Sequence, residues 1–126
     1  MIRQHTHLYL LHHHRKIKQI DMVTGAVTTL HSAWDWLFDL ALAPMNDGFY
    51  VTAGHGIIHI RNDTETWLVG SRLTGRRNGN FSTAQFDTPI DLEWLDSSTL
   101  LVADRDSDSI KVIDLGSKQV QQICTG

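Results

Sequence analysis

Short apolar segments separated by polar turns recur along this chain, and the pattern is clearest over residues 88–123. Apolar and acidic residues alternate over 90–94, which is typical of a half-buried strand, whereas residues 100–103 are all apolar, which is typical of a strand buried on both faces. Two more apolar segments follow, over 109–114 and 120–123. Turns this short join only antiparallel neighbours, because a parallel crossover needs about a dozen residues or more. This part of the chain is therefore predicted to be a four-stranded meander.

The same pattern occurs twice more upstream, once with all four strands and once with the last three. The equivalent residues Tyr9, Tyr50 and Leu101 recur at intervals of about 40–50 residues, a period typical of β-propeller blades. The chain is therefore predicted to be all-β and built of propeller blades. We place the three blades at about residues 7–31, 37–70 and 88–124. A loop at 71–87 separates the second blade from the third. The second strands are expected to be buried, with Tyr50, Val51, Leu101 and Val102 in the core.

The third repeat resembles the NHL repeat, the unit of one family of β-propellers. Three segments carry the resemblance: A-Q-F-D-T-P (Ala84 to Pro89) after a Gly-containing loop, L-L-V-A-D (Leu100 to Asp104) and I-K-V-I-D (Ile110 to Asp114). The earlier repeats keep shorter forms, L-Y-L with K-I-K-Q-I-D and F-Y-V-T-A-G. The resemblance covers about residues 7–124 and implies a β-propeller. It implies no particular function, because one fold serves many functions.

The predicted strands do not close a ring. Residues 1–6 are too few for an inner strand and its turn, so the first blade is expected to have three strands where the other two have four. A closed propeller needs at least about four blades to remove exposed sheet edges. We therefore expect either part of a longer propeller or self-association, most simply a dimer in which each chain is half of a six-bladed ring.

Residues 34–42 are also compatible with a helix. Their apolar residues lie at helical spacing, Ser32 and Asp35 have the spacing of an N-terminal capping box, and Pro44 would end the helix. The repeat instead places the inner strand of the second blade at 38–43. We favour the strand, because agreement with a repeat outweighs a short local pattern.

Composition adds few constraints. The chain has 126 residues, of which 41% are hydrophobic and 20% are charged, as expected for one globular domain. A net charge of −3 provides no basic field, so neither nucleic acid nor an anionic membrane is an expected partner. The single cysteine, Cys124, cannot form an internal disulfide and leaves the compartment open. No apolar segment approaches the ~18 residues of a transmembrane helix, and Leu8–Leu11 is too short for a signal-peptide core.

In a propeller, the loops that lead into the inner strands and those that join the second and third strands lie on one face. This loop face is the expected binding surface here, because histidine, tryptophan and arginine are concentrated in those loops. Its candidate residues are His12, His13, His14, Trp34, Trp36, His55, Arg72, Arg76, Arg77, Asp104 and Asp106.

The histidines and aspartates of these loops raise the question of a metal site. Zinc needs about four ligands that converge tetrahedrally. Three consecutive histidines on a short turn point in different directions, so residues 12–14 are interpreted as a solvated turn. Aspartates alternate over 104–108 as in a calcium loop, but Ser109 and Leu115 stand where that loop requires glycine and glutamate. Turn capping is the favoured role of these aspartates. No metal and no other cofactor is predicted.

Two other loop features bear on possible partners and location. Residues 71–80 contain three arginines, and some NHL propellers bind RNA phosphates on a basic face. No aromatic residues interleave with these arginines, so a solvated loop is favoured. Glycosylation sequons at Asn62 and Asn80 are compatible with a secreted parent protein.

The sequence shows no catalytic motif, and Ser82 and Ser98 lack the G-x-S-x-G context of a nucleophile elbow. We therefore expect a non-enzymatic binding or scaffolding module that binds protein and associates with itself. The alternative is a fragment of a six-bladed propeller enzyme of the lyase or lactonase type, in which other blades complete an axial metal site.

Overall fold

The structure is a computed structural model that describes residues 2–4 and 6–125, and these form three antiparallel sheets in chain order. The first sheet contains β1 (Ile2–Gln4), β2 (His7–His12), β3 (Lys16–Asp21) and β4 (Val27–Ser32). The second contains β5 (Leu37–Leu42), β6 (Phe49–Ala53), β7 (His55–Arg61) and β8 (Thr64–Ser71). The third contains β10 (Pro89–Asp96), β11 (Thr99–Asp104), β12 (Ser109–Asp114) and β13 (Gln119–Thr125), with β9 (Gly79–Asn80) at its outer edge. Two 3-10 turns, Pro44–Asn46 and Arg105–Ser107, complete the elements. Neither is long enough to cross a membrane, nor is any other helix in the described residues.

The first sheet has four strands, so the prediction of three was wrong. Strand β1 pairs antiparallel with β2 through Ile2–Tyr9, Arg3–Leu8 and Gln4–His7. Three residues suffice for an inner strand, because each antiparallel residue forms its ladder contacts locally with the residue opposite. Each sheet is therefore a complete meander, as expected of propeller blades.

The inner segment of the second blade is a strand, β5, and not a helix, as predicted. The geometry of β5 also explains why its apolar residues lie at helical spacing. A β-bulge lies between Leu37 and Asp39. The extra residue places Leu37 and Leu40 on the same side of the sheet, where both are buried in one core cluster. Strand β10 repeats the irregularity, with a register shift between Pro89 and Asp91. An i, i+3 apolar pair in this chain thus indicates a bulged strand.

The core lies in two layers, one on each side of the second sheet. The layer between the first and second sheets is centred on Ile17, Leu37, Val51 and Ile58. The layer between the second and third sheets is larger, and Phe86 is its largest fully buried side chain. Face-to-face stacking of successive sheets buries the apolar side chains that each meander alone would leave exposed.

Burial in the second strands follows the prediction in part. Tyr50, Val51 and Val102 are buried, with Tyr50 8% exposed and the two valines fully covered. Leu101 is only half-buried, contrary to the prediction, and the neighbouring Leu100 is fully buried instead. Side chains alternate along β11, so Leu100 and Val102 face the second sheet while Leu101 faces away from it.

Polar contacts join neighbouring sheets at both layers. His31, which is buried on β4, lies between Asp63 and Glu65 of the second sheet, with ring nitrogens 2.6 and 2.7 Å from their carboxylate oxygens. Both ring nitrogens of His31 thus face a carboxylate of the second sheet. Between the second and third sheets, the Trp94 indole N–H donates to the Leu42 carbonyl at 3.0 Å. These bonds fix the lateral position of the stacked sheets.

The segment predicted as loop 71–87 folds back onto the third sheet. Its residues Gly79 and Asn80 pair with Val120 and Gln119, which adds β9 beside β13. Phe86 is fully buried in the layer between the second and third sheets. The segment therefore belongs to the core as well as to the surface.

Candidate binding face

The strand register places all the predicted site loops at one end of the sheets. Leu37 lies opposite Ala53, and Pro89 lies opposite Asp104, so the segments leading into β5 and β10 adjoin the turns that end β6 and β11. At the first sheet, the Leu37 N–H donates to the His14 carbonyl at 2.6 Å. This end is the loop face that the sequence predicts; its role in binding remains a prediction.

The three consecutive histidines lie in a tight turn and do not converge on one point. His12 and His13 are exposed, and their ring centroids are 3.9 Å apart. Partial desolvation, together with the neighbouring charges of His13 and Lys18, lowers the pKa of His12. His14 differs: its Nδ1 donates to the Leu37 carbonyl at 3.1 Å, and its ring stacks on Trp36 with centroids 4.5 Å apart. All three histidines are exposed, as expected for a solvated turn, and His14 is in addition held in one orientation.

Two exposed tryptophans flank an ion pair beside this turn. Trp34 is 83% exposed and Trp36 is 49% exposed. Between them in sequence, Asp35 accepts two hydrogen bonds from Arg72, at 3.1 and 2.9 Å. These hydrogen bonds raise the pKa of Arg72, whose guanidinium also lies 5.7 Å from the ring centroid of Trp67. Bidentate geometry and ring contact hold Arg72 in one orientation on the face.

The other charged candidates near the third sheet bond within the protein. Arg76 donates to the Asp106 carbonyl at 3.1 Å and lies 3.5 Å from the Asp87 carboxylate. Asp106 accepts a hydrogen bond from the Thr88 hydroxyl, and this bond lowers the pKa of Asp106. His55 contacts the backbone carbonyl of Asp87 through its Nδ1. These residues tie the long loop to its neighbours.

Asp104 is a structural residue, because it is only 1% exposed. Its carboxylate accepts the backbone N–H groups of Asp87, at 3.1 and 2.9 Å, and of Thr88, at 2.6 Å. The fully buried Lys111 lies 4.0 Å away and donates to the Gln85 carbonyl at 2.7 Å. Burial lowers the pKa of Lys111, while the charge of Asp104 acts in the opposite direction. The pair secures the start of β10 to β11 and β12.

A second group of carboxylates lies on the inner strands. The Leu92 N–H donates to Asp39 Oδ2 at 3.0 Å, which joins the second sheet to the third. Desolvation, followed by a hydrogen bond with Asp91, raises the pKa of Asp39. Asp39 and Glu93 line a cavity of about 290 Å³. Among the described residues, no three His, Cys, Asp or Glu side chains are arranged to hold a metal ion.

The structure thus separates the predicted candidates into two groups. One group has side chains that bond within the protein, namely His14, His55, Arg72, Arg76, Asp104 and Asp106. By contrast, the side chains of His13, Trp34 and Arg77 are exposed and form no hydrogen bond or ion pair within the described part of the chain. Sequence reasoning missed the residues that organise the face, namely Asp35, Trp67, Asp87 and Lys111. Lys111 carried a signal, because it occupies an otherwise apolar position in the strand I-K-V-I-D. Asp35 and Asp87 carried no such signal, because the residues that they bond are distant in sequence.

No protein-family model and no curated protein matches this chain. Solved structures do match. An auxiliary nutrient binding protein from Bacteroides thetaiotaomicron VPI-5482 aligns with a TM-score of 0.71 and 13% identity over 94% of this chain and 33% of its own. A protein of unknown function from the same organism aligns with a TM-score of 0.74 and 15% identity over 93% of this chain and 32% of its own. A protein from Bacteroides fragilis NCTC 9343, provisionally assigned as a 6-phosphogluconolactonase, aligns with a TM-score of 0.54 and 19% identity over 94% of this chain and 35% of its own.

These likenesses establish the fold. The chain consists of antiparallel meander sheets that correspond to part of a propeller-like protein. It spans about a third of the length of the solved structures it matches.

Proposed function

We propose that this chain is a non-enzymatic binding module of NHL-like blades and that it binds a protein partner through the loop face. The observation that carries the proposal is the pair Trp34 and Trp36, which are 83% and 49% exposed beside the fixed Asp35–Arg72 ion pair. Aromatic residues and arginine are the types enriched among the residues that dominate protein–protein affinity.

The surroundings of the tryptophans favour binding over incidental exposure. Trp36 is stacked on His14, and Arg72 is held by Asp35 and Trp67, so both present defined shapes before a partner arrives. Groups that are already ordered lose less conformational entropy on binding. Trp34 is unpacked and gains apolar burial only when a partner covers it.

The similar structures support a binding role in general terms. One of them is described as an auxiliary nutrient binding protein, and this chain shares its fold over 94% of its own length. The assignment of a protein partner here rests on the exposed residues of this chain and on the NHL resemblance.

A second candidate is the propeller enzyme, and one observation favours it. Asp39 has a raised pKa beside a cavity on the inner strands, as general acids often have. It ranks second because both oxygens of Asp39 already accept backbone N–H groups, from Leu40 at 2.9 Å and from Leu92 at 3.0 Å. These bonds show that the carboxylate has a structural role, because it joins the second sheet to the third.

The test compares the parent chain with the double variant Trp34→Ala, Trp36→Ala. Proteins retained by the immobilised parent are identified and purified, and their Kd is measured for both chains by titration calorimetry. We expect the variant to bind at least about 30-fold more weakly, which corresponds to about 2 kcal/mol. Met45→Ala serves as the matched control, since Met45 is 98% exposed in the turn before β6, at the opposite end of the sheets.

Equal binding by the parent and by the double variant would remove the loop face from the proposal. Binding to a glycan array that depends on the same tryptophans, without any protein ligand, would replace the protein partner with a carbohydrate. Hydrolysis of a lactone that is lost in Asp39→Asn would favour the enzyme.

A further inference from the structure

The third sheet has an apolar face that no described residue covers. A groove of about 120 Å³ crosses it. Ile110 is 40% exposed there, and Leu101 and Ala103 are half-buried beside it. Asp91 and Glu93 line the same groove and make it acidic. We refer to Asp91, Glu93, Leu101, Ala103 and Ile110 together as the third-sheet face.

The first sheet has a matching face on its side away from the second sheet, with Leu8, Leu10 and Ile20 half-buried. Tyr9, Leu11 and Ile17 pack toward the second sheet, so alternation directs Leu8, Leu10 and Ile20 the other way. Basic residues accompany them: Leu10 lies opposite Lys18, and His12 lies opposite Lys16. We refer to Leu8, Leu10, His12, Lys16, Lys18 and Ile20 together as the first-sheet face.

The first-sheet face repeats a surface that is already packed within this chain. The cross-strand pairs Leu8–Ile20 and Leu10–Lys18 correspond to Leu100–Ile113 and Val102–Lys111 of the third sheet. All four of those third-sheet residues are fully buried. The first-sheet face therefore has the residue pattern of a blade that rests on a preceding blade.

The third-sheet face repeats the other half of the same junction. The pair Ala103–Ile110 corresponds to Thr52–Ile57 of the second sheet, where both residues are fully buried. Ile57 belongs to the core layer that is covered by the third sheet. The third-sheet face therefore has the pattern of a blade that accepts a following blade.

The backbone contacts of the internal junction recur as well. Asp39 caps its own bulge by accepting the Leu40 N–H at 2.9 Å, and it accepts the Leu92 N–H of the next sheet at 3.0 Å. Asp91 occupies the equivalent bulge in the third sheet and accepts the Leu92 N–H at 3.1 Å. The acceptor that joins two blades is thus present at the uncovered face.

From these matching faces we propose that the first sheet of a second copy of this chain docks on the third-sheet face. The two faces are expected to fit together, since they repeat the two sides of the junction between the second and third sheets. The two faces also carry opposite charges, with Asp91 and Glu93 on the third-sheet face and Lys16 and Lys18 on the first-sheet face. Two such junctions related by a two-fold axis close a ring of six blades.

The test is the mass of the full chain in solution, measured by sedimentation equilibrium and light scattering at micromolar concentration. We expect a dimer. Ile110→Asp, on the third-sheet face, and Leu10→Asp, on the first-sheet face, should each weaken dimerisation by at least about 100-fold, since a buried unpaired charge is costly. Raising the salt concentration should weaken the parent dimer, because salt screens the attraction between an acidic and a basic face. Val23→Asp is the matched control, since Val23 is 79% exposed in the turn after β3.

Mixing the two variants provides the sharpest result. Each variant keeps one intact face, so an equimolar mixture should regain a dimer through one good junction, although neither variant dimerises alone. Circular dichroism and urea unfolding confirm that both variants fold. A folded monomer of the parent overturns the proposal and leaves the third-sheet face for a further blade of a longer chain. A dimer that survives both substitutions, or a mixture that stays monomeric, overturns it too.

Discussion

Asp104→Ala should be among the most damaging single substitutions outside the apolar core. The carboxylate is 1% exposed and accepts two backbone N–H groups, and it is the anion 4.0 Å from the fully buried Lys111 ammonium. Truncation leaves those N–H groups without their acceptor and Lys111 without its counter-charge. Breaking a buried pair by removing one partner costs about 3–5 kcal/mol. We expect that loss here, out of a total stability of about 5–15 kcal/mol for an ordinary domain.

The measurement is urea unfolding followed by tryptophan fluorescence, with circular dichroism as a second probe to establish two-state behaviour. Asp104→Asn keeps the side-chain shape without the charge and should lose less stability than Asp104→Ala. Asp106→Ala is the control in the same turn; its side chain is 51% exposed, so its loss should be about 1 kcal/mol or less. The double variant Asp104→Ala, Lys111→Met should be more stable than the sum of the two single losses predicts. A loss in Asp104→Ala no larger than in Asp106→Ala would refute the structural role.

Three further predictions concern the sheets. Leu100→Ala should cost about 2–5 kcal/mol and Leu101→Ala clearly less, because Leu100 is fully buried and Leu101 is not; urea unfolding of the monomeric Ile110→Asp background decides between them. The raised pKa of Asp39 contributes stability below its ordinary value of 3.8 that is lost as pH rises through the raised value, so the parent should lose this stability over that range, whereas Asp39→Asn, which cannot ionise, should not; urea unfolding of both at a series of pH values measures the difference. His31→Ala should cost about 1–3 kcal/mol in thermal or urea unfolding, since it removes both carboxylate contacts between the first two sheets; an unchanged midpoint would contradict the bridging role.

The strand pattern of this chain was readable from sequence because it is local. Alternation at 90–94, the apolar segment at 100–103 and the short turns specify antiparallel hairpins without reference to distant residues. Repetition then resolved the ambiguous segment at 34–42, where the tertiary structure adds the reason: the bulge before Asp39 gives a strand the spacing of a helix. The prediction failed at β1, where three residues proved enough for an inner strand.

The loop face was also located from sequence, since strand order alone fixes which loops share an end of a meander. Which of its side chains are free was decided only by the tertiary structure. The sequence places both Asp104 and Trp34 in loops of the predicted binding face. In the structure, Asp104 is 1% exposed and Trp34 is 83% exposed. The difference arises because Asp104 faces Lys111 and the backbone of residues 87–88, which reach it only when the long loop folds back. Burial and charge pairing depend on contacts between distant segments, whereas strand periodicity depends on neighbours; the sequence by itself therefore determined the blades, and the packed structure determined their chemistry.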